Sequence, residues 1–309
     1  MHIPMYLYLP IAGNAVNIYA ILGLGVVVGV LSGIFGVGGG FLMTPLLIML
    51  GIPPTVAAAS DSNQIVGAST SGTLAHFRLG NVDIKMGLLL LIGGVLGGTV
   101  GVQVIKVLRH LGNADFFISV TYVLMLGLIG GYMFIESLAA LRRPLLRHEA
   151  PRHTRSQYGN LFQKLPWKTE FSRSGVSLSV LMPLVLGILV GILAAIMGVG
   201  GGFIMVPVMV YILRMPMHVV VGTSLFQVLF TCVNVTFMQA WQNHTVDFVL
   251  ALLLLIGSSV GAQVGARVGR RFSGDHLKIF LATLVLVVMA KMLYGLLVRP
   301  DVLLSLGGH

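Results

Sequence analysis

The chain has 309 residues, of which 56% are hydrophobic and only 9% charged, with 40 glycines and a mean hydropathy of +0.97. Soluble domains carry about 25% charged residues, so most of this surface does not face water. The net charge of +10 does not mark a nucleic-acid binder, because eight of the 19 Lys and Arg fall in one stretch between Arg142 and Arg173. The single Cys232 excludes an intramolecular disulfide and any cysteine-based metal cluster.

In chain order, the N-terminus (MHIPMYLYLP) lacks a basic leader and a small-residue cleavage site, so the first apolar run reads as a retained membrane segment. Segments are predicted over 15–35, 41–51, 55–77, 84–109 and 115–138, then 177–197, 203–213, 217–241, 247–271 and 276–298. Most approach the ~20 residues that cross a bilayer as a helix. The second segment of each set is about half that and cannot span alone, so it reads as a half-helix or one arm of a broken pair. Residues 139–176 are polar and basic with three prolines, an exposed linker. This divides the chain into a first membrane repeat (1–138), a basic cytoplasmic linker (139–176) and a second membrane repeat (177–309).

The two sets are copies. GVLSGIFGVGGGFLMTPLL from Gly29 matches GILAAIMGVGGGFIMVPVM from Gly191, a shift of 162 residues. VDIKMGLLLLIGGVLGGTVG from Val82 matches VDFVLALLLLIGSSVGAQVG from Val246, a shift of 164. Cationic loops resist translocation, so the basic linker marks the cytoplasmic side. An odd number of passes per half then makes the halves inverted copies. The loop holding Arg78 would be cytoplasmic and its counterpart WQNHTVD, without Lys or Arg, outside. Lys106 and Arg109 are a mild exception. The expected fold is an all-α integral membrane protein of two inverted repeats, about five segments each, with short broken or half helices at the paired GVGGGF motifs.

Such repeats with Gly-interrupted segments point to a transporter whose site lies near the midplane, where the repeats meet. Three consecutive glycines permit unwinding, and the half-helix after them offers unpaired N–H groups and a positive dipole end to a small anion. Tight packing or a hinge is the duller reading of the same glycines. Gly93, Gly97 and Gly101, mirrored by Gly257, Gly261 and Gly265, have the spacing of close helix packing. The motif is neither a dinucleotide fingerprint nor a P-loop.

The paired GVGGGF…P motifs, each followed by a polar segment and a later VD, resemble the TauE/SafE sulfite exporter family, also called TSUP. The resemblance covers nearly the whole chain outside the linker and the first dozen residues. It implies membrane passage of sulfite, thiosulfate, sulfonates or related anions. GTSLF from Gly222 resembles the family's polar segment, whereas the first half departs from it with SDSNQ from Ser60.

The candidate substrate-binding residues are Gly38, Gly39, Gly40, Ser60, Asp61, Ser62, Asn63 and Gln64 in the first half. Gly200, Gly201, Gly202, Thr223, Ser224 and Gln227 are those of the second. Hydroxyls and amides suit the oxygens of a sulfite-like anion and let it leave again; interhelical hydrogen bonding is the alternative role. Asp61 stands out, because a carboxylate at bilayer depth is costly. It either couples substrate to proton movement or caps the third segment. His76 and Arg78 either attract anions at the mouth or anchor the helix. Asp83 and Asp247 head their segments as N-caps.

No cofactor or metal is expected: the 16 methionines and nine histidines are dispersed, without an H-E-x-x-H pattern. The expected partners are a small anion and the lipid bilayer of a bacterial inner membrane. Two other functions share parts of this pattern. An intramembrane hydrolase would use Ser69 or Ser71, though no His or carboxylate is placed to activate either. A passive anion channel would conduct without saturation.

Overall fold

The computed structural model of the chain describes residues 6–35, 40–142, 168–171, 173–213, 215–269 and 274–298. Each half opens with a β-hairpin: β1 (Tyr6–Leu9) on β2 (Asn14–Asn17), and β3 (Lys168–Phe171) on β4 (Val176–Ser179). The first-half helices are α1 (Ile18–Phe35), α2 (Gly40–Met49), α3 (Pro54–Arg78), α4 (Ile84–His110) and α5 (Ala114–Arg142). The second half holds α6 (Leu181–Met197), α7 (Gly202–Pro207), α8 (Met217–Met238), α9 (Phe248–Gly269) and α10 (Gly274–Val298). Among the described residues, five helices are long and apolar enough to cross a membrane: α4, α5, α8 with its wider last turn, α9 and α10. The 25-residue α3 has the length but is studded with polar side chains.

Two described elements fall partly within 139–176, the end of α5 and the hairpin β3–β4. α5 continues to Arg142, and β3–β4 occupies 168–179, with Phe171 buried. Lys168 stands 162 residues after Tyr6 and the buried Phe171 162 after the buried Leu9, so the hairpin belongs to the repeat. Its amide pairing is backbone chemistry, which composition does not announce.

Proline shapes the two short helices differently. It has no N–H and frees the carbonyl four residues back. α2 accommodates Pro45 within regular α-helix. After Pro207 the backbone instead widens into a π-turn over Val208–Ile212, with the Leu213 N–H reaching the Val208 carbonyl at 3.1 Å.

The halves interlock. α1 packs on α9 and α6 on α4, while α3 meets α8 and α5 meets α10. Glycine makes the first two seams possible. A Cβ at Gly97 would strike the Ile188 carbonyl, one at Gly101 would lie 2.8 Å from Ala195 Cβ, and one at Gly257 2.7 Å from the Leu22 carbonyl oxygen. These glycines serve close packing.

Hydrogen bonds tie the loops into two opposite ends. At one, the Asp83 N–H donates to Thr223 Oγ1 (3.0 Å), and Ser174 donates to Asp83 Oδ2 through both N–H (3.1 Å) and hydroxyl (2.5 Å). Arg173 donates to the Gly80 carbonyl there. At the other, Arg109 donates to the Asn243 carbonyl, the Thr55 N–H to Asp115 (2.9 Å) and Asn14 to the Gly51 carbonyl (2.7 Å). α4 begins against Thr223 and ends against Asn243, so α4 and α8 run side by side in one direction. Asp83 and Asp247 act as N-caps, accepting from the N–H groups of Met86 (3.2 Å) and Leu250 (3.1 Å).

Candidate functional site

The second glycine motif unwinds. α6 stops at Met197, and Gly198, Gly200 and Gly201 hold φ of 70°, 69° and 79°, a left-handed region that costs other residues about 1–2 kcal/mol. Close contacts add to this requirement. A Cβ on Gly198 would run into the Ala58 carbonyl of α3, and one on Gly200 would sit 2.5 Å from Cys232 Sγ. Gly202 opens α7, whose first N–H groups lack intrahelical partners. Gly38 and Gly39 lie outside the described residues. Gly40 starts α2, buried against Ile65 and within 3.3 Å, for a built Cβ, of the Val199 carbonyl.

The residue closing each motif meets its counterpart from the other half. Phe41 and Phe203 are both buried and stack face to face, ring centres 4.4 Å apart and planes 7° from parallel. Such contact rewards an offset parallel arrangement. A ring contact between residues 162 apart leaves no local pattern in the sequence, so the stack went unseen.

The polar residues of α3 and α8 divide by task. Ser60 and Thr223 are fully buried and do equivalent work: Ser60 Oγ accepts the Asp247 N–H (3.1 Å), as Thr223 Oγ1 accepts that of Asp83. Each ties a helix of one half to a helix start in the other. Ser62 and Ser224 donate to their own helix, at the Ala58 and Val221 carbonyls (both 3.1 Å). Asn63 is half-buried. Gln64 donates to Ser258 Oγ (2.5 Å) and Gln227 to Thr231 Oγ1 (2.8 Å), and each leaves its buried Oε1 without a partner. Gly94, the counterpart of Ser258, has no side chain to offer, which explains why Gln227 turns to its own helix. His76 is half-buried with Nδ1 unpartnered, and Arg78 is exposed; both lie in the last turn of α3.

Asp61 is not a cap. α3 starts at Pro54, two turns earlier, so the carboxylate does not cap its own helix. Its Oδ2 accepts from Thr44 of α2 (2.8 Å), while Oδ1 is buried without a partner. Tyr122 of α5, also fully buried, lies near Thr44 and Asp61, and Cys232 of α8 lies near Asp61. The Tyr122 hydroxyl donates to the Met197 carbonyl. Thr44 and Tyr122 were absent from the sequence candidates, since single polar groups in apolar helices carry no pattern of their own. Among the described residues no three His, Cys, Asp or Glu side chains gather as metal ligands.

The profile of the family described as Sulfite exporter TauE/SafE matches residues 21–292, nearly the whole membrane region. The chain belongs to the TauE/SafE family. Relatives of this TauE/SafE chain include the probable membrane transporter protein YjnA of Bacillus subtilis, 27% identical over 274 residues, which cover 89% of this chain and 99% of that one. YunE of the same organism, also named a probable membrane transporter protein, is 25% identical over 88% of this chain and 95% of its own. Sulfite exporter TauE/SafE family protein 2 of Arabidopsis thaliana is 34% identical over 103 residues, 33% of this chain and 22% of the relative. No solved structure matches the chain. Membership makes this TauE/SafE protein an integral membrane protein of a transporter family.

Proposed function

We propose that the protein is a secondary transporter that carries a small sulfur-containing anion, of the sulfite, thiosulfate or sulfonate class, through a site between its two halves near the membrane midplane. The observation that carries this reading is the Phe41–Phe203 stack, which joins the helix starts after the two glycine runs, on an α2 whose Thr44 holds a buried carboxylate with one unpartnered oxygen. The sulfite class rests on the names of the plant relatives.

In this reading the halves are inverted copies. α3 and α4 are joined by a tight turn and run oppositely, whereas α4 runs alongside α8, the counterpart of α3. The counterparts α3 and α8 therefore point in opposite directions, which supports inversion. The segment 139–176 lies in the cytoplasm of a bacterial cell, and Gly40, Gly200–Gly202, Gln64 and Gln227 border the anion's path with Gly38 and Gly39. Ser60, Ser62, Thr223 and Ser224 hold the walls of that path, and His76 and Arg78 stand at its mouth. Asp61 takes up the coupling proton.

The test is flux of sulfite, thiosulfate and methanesulfonate into proteoliposomes, with and without an imposed pH gradient. Saturable uptake of one of them, with the gradient dependence lost in Asp61→Asn, is the expected result. No saturable uptake of any would reject the reading; uptake proportional to concentration without limit would point to a channel.

A further inference from the structure

We propose that Tyr122 is a positioning residue that links the charge state of Asp61, in the first half, to the glycine motif of the second. This deepens the proton-coupling role given to Asp61 above and rests on it.

The link is built from three side chains on three helices. Thr44 of α2 donates to Asp61 Oδ2 at 2.8 Å. Tyr122 of α5 lies beside Thr44 and donates to the carbonyl of Met197. Met197 is the last residue of α6, and Gly198, with its φ of 70°, turns the chain out of the helix immediately after it. The last four carbonyls of a helix have no intrahelical partner. Tyr122 therefore closes the end of α6 from 75 residues away and holds the direction in which the motif departs.

A tyrosine hydroxyl has one proton to give; it goes to the Met197 carbonyl, and the Thr44 oxygen beside it is the alternative acceptor. Given to Met197, it pins the motif. Given to the Thr44 oxygen, while Thr44 donates to Asp61, it joins a chain ending on the carboxylate. Hydrogen bonds that end on an ionised group are about twice as strong as neutral ones. An ionised Asp61 draws the Tyr122 proton toward Thr44 and releases the Met197 carbonyl. A proton on Asp61 removes that pull and restores the bond to Met197. The buried Oδ1, without a partner, is where that proton goes.

The fold does not require this cluster. The counterpart of Thr44 in the second half is Val206, and that of Asp61 is Ser224, which bonds only to its own helix. A two-copy scaffold thus carries a one-copy set of polar groups. Few other titratable groups face Asp61. α5 presents Tyr122 and α8 presents Cys232; α2 and α6 carry none. From α9, Asp247 reaches Ser60 through its backbone N–H. His76 and Arg78, on α3 itself, lie about 22–25 Å farther along the helix at 1.5 Å per residue.

Hydrogen–deuterium exchange of wild type, Tyr122→Phe, Thr44→Val and Asp61→Asn in lipid nanodiscs tests this without any substrate. The readout is the peptide spanning 195–205, corrected for the intrinsic effect of pH. In wild type its exchange should rise with pH beyond that correction. Tyr122→Phe should exchange about tenfold faster at low pH, the factor for one net hydrogen bond of ~1.4 kcal/mol, with no pH dependence left. Thr44→Val should keep the protection and lose the pH dependence, and so should Asp61→Asn. Wild-type pH dependence surviving in Tyr122→Phe or Thr44→Val, or absent from wild type, overturns the proposal. Absence of anion flux in the proteoliposome assay rejects the transport reading instead, and the two failures are separately visible.

Discussion

Replacing Gly198 with alanine adds one carbon, and the structure says what that carbon meets. At a φ of 70° the backbone sits where a Cβ is crowded by its own peptide group, about 1–2 kcal/mol unfavourable. The new methyl also points into the Ala58 carbonyl group, with Ala58 Cα only 2.5 Å away. These are backbone atoms of a buried helix and cannot step aside as a flexible side chain would. Overpacking of that kind costs about 1–3 kcal/mol. Together they predict a loss of ~2–5 kcal/mol for Gly198→Ala. Gly23→Ala and Gly131→Ala are the matched controls, since a Cβ at either has nothing within 4 Å and both lie in helices. They should be neutral or gain up to about 1 kcal/mol. Reversible unfolding in mixed detergent–SDS micelles, followed by helical circular dichroism, measures all three. A Gly198→Ala curve that overlays wild type, or controls that fall equally, would refute the reasoning.

Ser60→Ala and Thr223→Ala should each cost about 1–3 kcal/mol, because each leaves the buried N–H of Asp247 or Asp83 unsatisfied, whereas Ser60→Thr and Thr223→Ser should restore most of the loss. The same unfolding assay decides it, and alanine variants as stable as wild type would remove the pair from the structural account. Ser174→Ala strips the 2.5 Å hydroxyl bond from Asp83, worth roughly 1.5–3 kcal/mol to a charged acceptor. Limited proteolysis within 168–179 should accelerate accordingly, and an unchanged cleavage rate would contradict the contact. A double-mutant cycle with Phe41→Leu and Phe203→Leu should return a coupling of about 0.5–1.5 kcal/mol. Simple additivity would mean that the rings do not stack.

Much of the helical frame could be read from the chain, because long apolar runs and capping carboxylates are local signals. The segment predicted at 84–109 is α4 from Ile84 to His110, and that at 55–77 is α3 from Pro54 to Arg78. Asp83 and Asp247 cap as their positions suggested. The hairpins were hidden because KTEF and VSLS are four-residue strands of mixed polarity, joined by backbone alone. The roles of Ser60 and Thr223 were hidden for a related reason: their partners are peptide N–H groups 187 and 140 residues away, and a peptide group has no letter in the sequence. Asp61 drew attention by its charge, but Thr44 and Tyr122 did not, since each is unremarkable within its own helix.

The Ser174 contact bears on the energy levels of the molecule. Two identical halves exchanging roles would pass between states of equal depth. Here the residue 162 positions before Ser174 is Ala12, and Asp247 Oδ2 is left without a partner where Asp83 Oδ2 holds two. An arrangement that keeps Ser174 on Asp83 retains bonds that the other half has no residue to form. One such bond, at roughly 1.5–3 kcal/mol, tilts a two-state population by tenfold or more. The two halves thus differ at this seam by one hydroxyl, present at Ser174 and missing at Ala12.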